Sequence, residues 1–220
     1  HGGSLTHWGC MQERCHFKRP SQPDREFVYH YDSIGRLEKI AYPSNTDIEA
    51  FFDDGNSGSG WDVNGRLKHM RYEKNGTPLR SFEFDYDQSG NRTLQIDTSP
   101  AGTYRWEYKY DWLDRLTEVW KKTDTGALLN VSVYTYDESD YRTKFELPQD
   151  ILEFVYSYDE AGQVAGRTKK HTGGATIFTE TFTHDLDGNL TGRERNDGTS
   201  ISSITYEWND FDHLIAVSSA

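Results

Sequence analysis

Phe27-Val28-Tyr29-His30-Tyr31-Asp32-Ser33-Ile34-Gly35-Arg36-Leu37 carries the pattern from which most of the chain is built. Phe27, Tyr29 and Tyr31 alternate with Val28 and His30, as a strand with two unlike faces requires. Asp32-Ser33-Ile34-Gly35 then reads as a turn. The Asp carboxylate can accept a backbone N–H two residues on, and Gly supplies the left-handed backbone. Arg36-Leu37 opens a returning strand, so the unit is one β-hairpin.

The unit recurs in register. Its aspartate falls at Asp32, Asp62, Asp87, Asp111, Asp137, Asp159, Asp185 and, degraded, at Asn209, with spacings of 30, 25, 24, 26, 22, 26 and 24 residues. Three residues after each stand Gly35, Gly65, Gly90, Asp114, Asp140, Gly162, Gly188 and Asp212. Aspartate is tolerated at a left-handed position better than most residues. The alternation recurs too: Tyr104, Trp106, Tyr108 and Tyr110 against Arg105, Glu107 and Lys109, and Phe82, Phe84 and Tyr86 against Glu83 and Asp85. Between hairpins lie turn-forming links such as Asn75-Gly76, Ser99-Pro100-Ala101-Gly102, Thr172-Gly173-Gly174 and Asn196-Asp197-Gly198, on the opposite edge. The Gly- and Ser-rich stretch from Phe52 to Gly60 stretches one spacing and breaks the second strand. The predicted architecture is all-β: tandem antiparallel β-hairpins, with a non-repeat segment over 1–26, eight units over 27–217 and a tail over 218–220. A lone hairpin is marginal in water, so neighbours must stack their aromatic faces into a continuous strip. The expectation is that the aromatic faces pack as a core between stacked sheet faces.

Composition agrees. Of 220 residues, 14 are Tyr, 11 Phe, 6 Trp and 19 Gly but only 2 are Met, which favours pleated sheet and turns over a helical core. Lys and Arg number 24 against 36 Asp and Glu, a net charge of −12 that argues against binding driven by nucleic-acid phosphates. No apolar run is long enough for a transmembrane helix.

Tyr31-Asp32-Ser33-Ile34-Gly35-Arg36-Leu37 and Trp61-Asp62-Val63-Asn64-Gly65-Arg66-Leu67, with Tyr86-Asp87-Gln88-Ser89-Gly90-Asn91 and Tyr158-Asp159-Glu160-Ala161-Gly162-Gln163, resemble the YD-repeat, or Rhs-repeat, family over about residues 27–217. The resemblance implies a curved, spiralling sheet or partial shell. It implies a structural, non-enzymatic module of a secreted or cell-surface polypeptide, enclosing or displaying a toxin or adhesive domain. Its partners would be those other domains or neighbouring subunits. The Asp-Pro-x-Gly segment that often ends bacterial shells has no counterpart, since the chain contains no Asp-Pro dipeptide.

Three groups of residues invite chemistry. The turn positions Asp32, Gly35, Asp62, Gly65, Asp87, Gly90, Asp111, Asp137, Asp159, Gly162, Asp185 and Gly188 are structural, although Asp185-Leu186-Asp187-Gly188-Asn189 also resembles part of a calcium loop. It lacks the bidentate Glu that such a loop needs. In His7-Trp8-Gly9-Cys10-Met11-Gln12-Glu13-Arg14-Cys15-His16, Cys10 and Cys15 suit a local disulfide or two free thiols. Cys10, Cys15 and His16 also form a widened version of the haem c attachment pattern, and with His7 a zinc set made awkward by the adjacency of Cys15 and His16. No cofactor is expected apart from that haem or zinc alternative. Trp61, Trp112 and Trp120 depart from the strand alternation or flank turns, and are the candidates for stacking on glycans or a cell-surface partner. No catalytic constellation emerges.

Overall fold

A computed structural model describes residues 8–11, 14–17, 25–43, 47–53, 55 and 58–219. Within these the chain is strand and turn, with one 3₁₀ turn at Pro148–Asp150. It divides into two compact units, 1–107 with 121–127, and 108–120 with 128–220.

The first unit contains β1 (Trp8–Met11), β2 (Arg14–Phe17), β3 (Arg25–Tyr31), β4 (Leu37–Ala41), β5 (Ile48–Phe51), β6 (His69–Lys74), β7 (Thr77–Tyr86), β8 (Arg92–Ser99) and most of β9 (Gly102–Tyr110). Each pairs antiparallel with its successor. The broken second repeat survives only as the isolated bridges Asp53↔Ser59 and Trp61↔Leu67. Gly60 is indispensable there, because a Cβ would sit 2.3 Å from the Phe52 carbonyl group.

β10 (Leu116–Thr123) follows, and the second unit continues through β11 (Leu128–Tyr136), β12 (Arg142–Leu147), β13 (Leu152–Tyr158), β14 (Val164–His171), β15 (Thr176–His184), β16 (Leu190–Asn196), β17 (Ile201–Trp208) and β18 (Leu214–Ser219). From β11 onward neighbours are again antiparallel and sequential. The fold is therefore the tandem hairpin array that the period of the sequence predicts.

The rings form the lateral aromatic strip expected of neighbouring hairpins, but not the expected core between stacked faces. Among the described residues only Ala50, Val131 and Phe178 are buried apolar side chains. The rings instead lie side by side along one face. Tyr134, Phe145 and Phe154 make a stacked row across β11, β12 and β13, with centroids 5.2 and 5.8 Å apart, and Phe82 stacks on Phe84 at 6.2 Å. Strand neighbours about 4.8 Å apart put cross-strand rings within reach without any second layer. The periodicity of the sequence reports that the rings share a face, not what covers it.

Charged side chains fill the remaining space. Glu180 has a side chain 1% exposed and pairs with Arg167, its register partner on β14. Asp97 is likewise buried against Arg80, and Glu153 lies between Lys170 at 3.1 Å and Lys144 at 3.9 Å. Aliphatic stems of Lys and Arg cover apolar surface while their charges find partners, so a sheet this polar can still exclude water.

Candidate functional site

The structure's most repeated chemistry is at the Tyr-Asp turns. In Asp111-Trp112-Leu113-Asp114-Arg115, Oδ1 of Asp111 accepts the N–H groups of Leu113 and Arg115 at 2.9 and 3.0 Å. Oδ2 takes the Arg115 Nε at 2.8 Å. The backbone closes the same ring: Asp114 N–H donates to the Asp111 carbonyl and Asp111 N–H to that of Arg115. Asp32 and Asp62 do the same with Arg36 and Arg66. Asp87 and Asp185 hold an Asn amide in place of the guanidinium. Asp137 and Asp159 grip only the backbone N–H groups two and four residues on. Gly35, Gly65, Gly90, Gly162 and Gly188 have φ between +76° and +96°, and Asp114, Asp140 and Asp212 take φ of 57° to 67° in their place. A register shift falls just before the aromatic of the turn in six of the hairpins, for example between Thr135 and Tyr136 and between Ser157 and Tyr158. The turn plus its left-handed residue is thus a bulge that re-aims the aromatic.

The re-aimed ring joins one hairpin to the one before it. Tyr86 Oη donates to the Leu67 carbonyl at 2.7 Å, Tyr136 Oη to that of Leu116 at 2.8 Å and Tyr158 Oη to that of Arg142 at 2.8 Å. Where tryptophan replaces tyrosine, its Nε1 serves. Trp61 reaches the Leu37 carbonyl and Trp208 that of Leu190, each at 2.8 Å. The acceptor is always the residue five beyond the preceding repeat's aspartate. The arginine one place earlier completes the clasp. Arg66 lies 4.9 Å from the Tyr86 ring and donates to the Asp87 carbonyl; Arg115 lies 4.9 Å from the Tyr136 ring and donates to that of Asp137. At Tyr141 an aromatic replaces the arginine and stacks on Tyr158 at 4.7 Å. The Tyr-Asp dipeptide therefore does two jobs, with Asp shaping its own turn and Tyr tying that turn to its neighbour. This second role was missed from sequence. The recurring aromatic before each Asp, in step with an Arg four residues after the previous Asp, carried the signal.

Electrostatics follow from these bonds. The Arg36 N–H is the largest influence holding the Asp32 carboxyl below the usual carboxylate range, and the Arg66 N–H does the same for Asp62. For Asp87, Asp111 and Asp185 partial desolvation pushes upward, but the turn donors outweigh it and the carboxyls again end low. Burial pushes the Tyr86, Tyr136 and Tyr158 phenols up, which keeps them protonated donors.

The other candidates separate. Trp112 is 87% exposed at the tip of its turn, beside the exposed Leu113. Trp61 and Trp120 are not rim residues. Trp61 stacks on Phe52 at 6.1 Å besides its hydrogen bond, and Trp120 donates to Glu118 beneath Lys109, 4.6 Å from its ring. Their indole N–H groups need acceptors, and the sheet supplies them. Cys10 and Cys15 are register partners across β1 and β2, and His16 is opposite both Gly9 and Glu26. Their side chains, and His7, lie outside what the structure describes. Among the described residues no cluster of His, Cys, Asp or Glu could hold a metal ion.

No curated protein matches the chain. Among solved structures it is similar to TcdB2-TccC3 without its hypervariable C-terminal region, with a TM-score of 0.68 and 14% identity over 92% of this chain and 11% of that one. It is similar also to TcdB2-TccC3, with a TM-score of 0.65 and 13% identity over 93% of this chain and 14% of that one. Identities this low speak to the fold, and the chain spans about a tenth to a seventh of those proteins. The family model for the teneurin YD-shell matches residues 55–220, three quarters of the sequence, across six of the Tyr-Asp turns and the degraded Asn209 turn described above. The chain belongs to the teneurin YD-shell family.

Proposed function

We propose that the chain is a non-enzymatic wall segment of a YD shell, within a secreted or cell-surface polypeptide, whose shell encloses or displays a toxin or adhesive domain. The observation that carries this reading is the clasp between successive hairpins. Ring donor and carbonyl acceptor recur at five of the turns, with a bridging arginine at two of them, so the repeated chemistry of the chain is spent on joining wall units. Acidic turns keep one edge solvated. The partners are other domains of the same polypeptide or neighbouring subunits. The test is protease protection of the polypeptide that carries this chain: enclosure predicts that flanking segments survive until the repeat region is cut. Prompt loss of the flanks with the repeats intact would refute enclosure and leave display.

A second reading, contact with a glycan or cell-surface partner, is favoured by Trp112, whose exposed indole costs the free chain apolar surface without a structural return. Glycan-array binding lost in Trp112→Ala would support it; an array without signal would count against it. In the first hairpin we infer a Cys10–Cys15 disulfide, supported by their direct opposition. Haem c or zinc at Cys10, Cys15 and His16 is the competing reading. The intact mass and visible spectrum of the purified chain decide between them.

A further inference from the structure

The ring-bearing face of the second unit holds a surplus of positive charge that the chain's composition conceals. Cross-strand register partners share a face. Phe154, Lys169 and Phe178 form one such row, Tyr156, Arg167, Glu180 and Arg195 the next, and Phe182 with Arg193 a third. Arg142 stands on the same face, 4.8 Å from the Tyr156 ring and 5.8 Å from that of Tyr134. Lys169 is 5.6 Å from the Phe154 ring and Arg195 is 3.9 Å from that of Phe178. Glu180 is the acid of these rows, and Arg167 occupies it.

That leaves Arg142, Lys169, Arg193 and Arg195 without an ion-pair partner among the described residues, and the Arg142 Nε is buried with no hydrogen-bond acceptor. On the opposite face the cations are matched: Lys144 meets Glu146 and Glu153, and Lys170 meets Glu153. In a chain of net charge −12, four unpaired cations gathered among rings are a local reversal of sign. Rings hold the guanidinium planes in place while their N–H groups remain able to donate.

We infer that this face binds an extended polypeptide segment in which carboxylates alternate with apolar side chains. Arg193 and Arg195 project from one side of β16 about 7 Å apart, the repeat of alternate side chains in an extended peptide. Rings between the cations suit the apolar residues between the carboxylates. A nucleic acid fits less well. Its unbroken line of phosphates would have to pass the turn edge, where Glu138, Glu160, Asp187 and Asp210 are exposed and lack ion-pair partners among the described residues. The inference concerns one face in solution and does not depend on enclosure.

The test is fluorescence anisotropy with the full chain and a labelled synthetic peptide carrying Glu at every second position, with Leu and Ser between. The expected result is saturable binding that weakens with salt, and no binding of the same peptide with Lys for Glu. Arg142→Gln and Arg195→Gln should each lower affinity about ten-fold, the order of one charge-assisted hydrogen bond. Lys109→Gln, whose cation already pairs with Glu118, should leave it unchanged. Should Arg142→Gln fail to fold, Arg195→Gln and the salt dependence of the parent chain still decide. Absence of binding, equal binding of the Lys peptide, or tighter binding of oligothymidylate would each overturn the inference.

Discussion

Replacing Tyr136 by Phe removes one oxygen and tests whether hairpins are clasped as the geometry says. The lost bond runs 2.8 Å from Tyr136 Oη to the Leu116 carbonyl, in a half-buried setting. A neutral hydrogen bond of this kind contributes about 0.5–1.5 kcal/mol net, and an acceptor left without its partner adds to the loss. The ring stays, so its contact with the Arg115 guanidinium and its apolar area are retained. The expected cost is therefore about 1–1.5 kcal/mol, close to a ten-fold change in the local opening constant. In a repeat array that cost is borne locally before it is felt globally. Hydrogen exchange is then the right assay: amides of the Asp137 turn and of β11 should exchange about ten times faster, while those of β17 stay as they were. Tyr158→Phe should act alike on its own turn. Both sites touch Arg142, the register partner of Tyr136 and the acceptor of Tyr158, so the double variant should depart from additivity by about 0.5 kcal/mol or more. Tyr104→Phe is the control, because its hydroxyl has no hydrogen-bond partner among the described residues. If Tyr136→Phe and Tyr104→Phe accelerate exchange equally, the hydroxyl clasp is not what joins the hairpins.

Gly60→Ala should prevent native packing of the second repeat, since its Cβ would meet backbone atoms of Phe52 and His69 within 2.5 Å. Gly65→Ala should cost only about 1–2 kcal/mol of left-handed strain, because its Cβ meets nothing; urea melts of the two variants separate these cases. Acid should weaken the array. The turn carboxyls Asp32, Asp62, Asp87, Asp111 and Asp185 sit below their unfolded range, so their contribution is complete above about pH 4 and disappears as pH falls through the depressed values. A pH titration of stability in Asp111→Asn should be flatter over that acid window than in the parent, and an unchanged slope would contradict the assignment. Glu180→Leu should destabilise by about 3 kcal/mol because it strands Arg167, and Glu180→Leu with Arg167→Leu should recover most of that in the same melts.

The turns and strands were legible because their information is local. Asp at one position and Gly three later specify a turn whichever neighbours it has, and alternation fixes which side chains share a face. The clasp was less legible because its two halves lie about twenty residues apart, in Tyr136 and Leu116 for example, and its acceptor is a backbone carbonyl that every residue owns. Trp61 and Trp120 show the same limit. Their positions beside turns suggested exposure, yet the Leu37 carbonyl that takes the Trp61 indole and the Lys109 cation over the Trp120 ring are neighbours that only the pairing of strands brings near. The surplus charge of the ring face was hidden altogether, because a net charge sums over both faces and both edges, and only register separates them.

These features explain how so polar a sheet holds together with so few buried apolar side chains among the described residues. A sandwich draws its stability from apolar area buried between sheets, and here the buried apolar side chains described are three. What replaces that area is lateral: rings stacked along the sheet, carboxylates such as Glu180 and Asp97 locked beneath cations, and clasps at five of the turns. All of these connect a strand to its immediate neighbours. Stability must then grow with each added hairpin instead of saturating when a core is filled, and removing one hairpin should weaken its two neighbours most. A wall needs this property, since it can be lengthened without redesigning its interior. A compact binding domain does not, and its residues would converge on one centre rather than repeat along an edge.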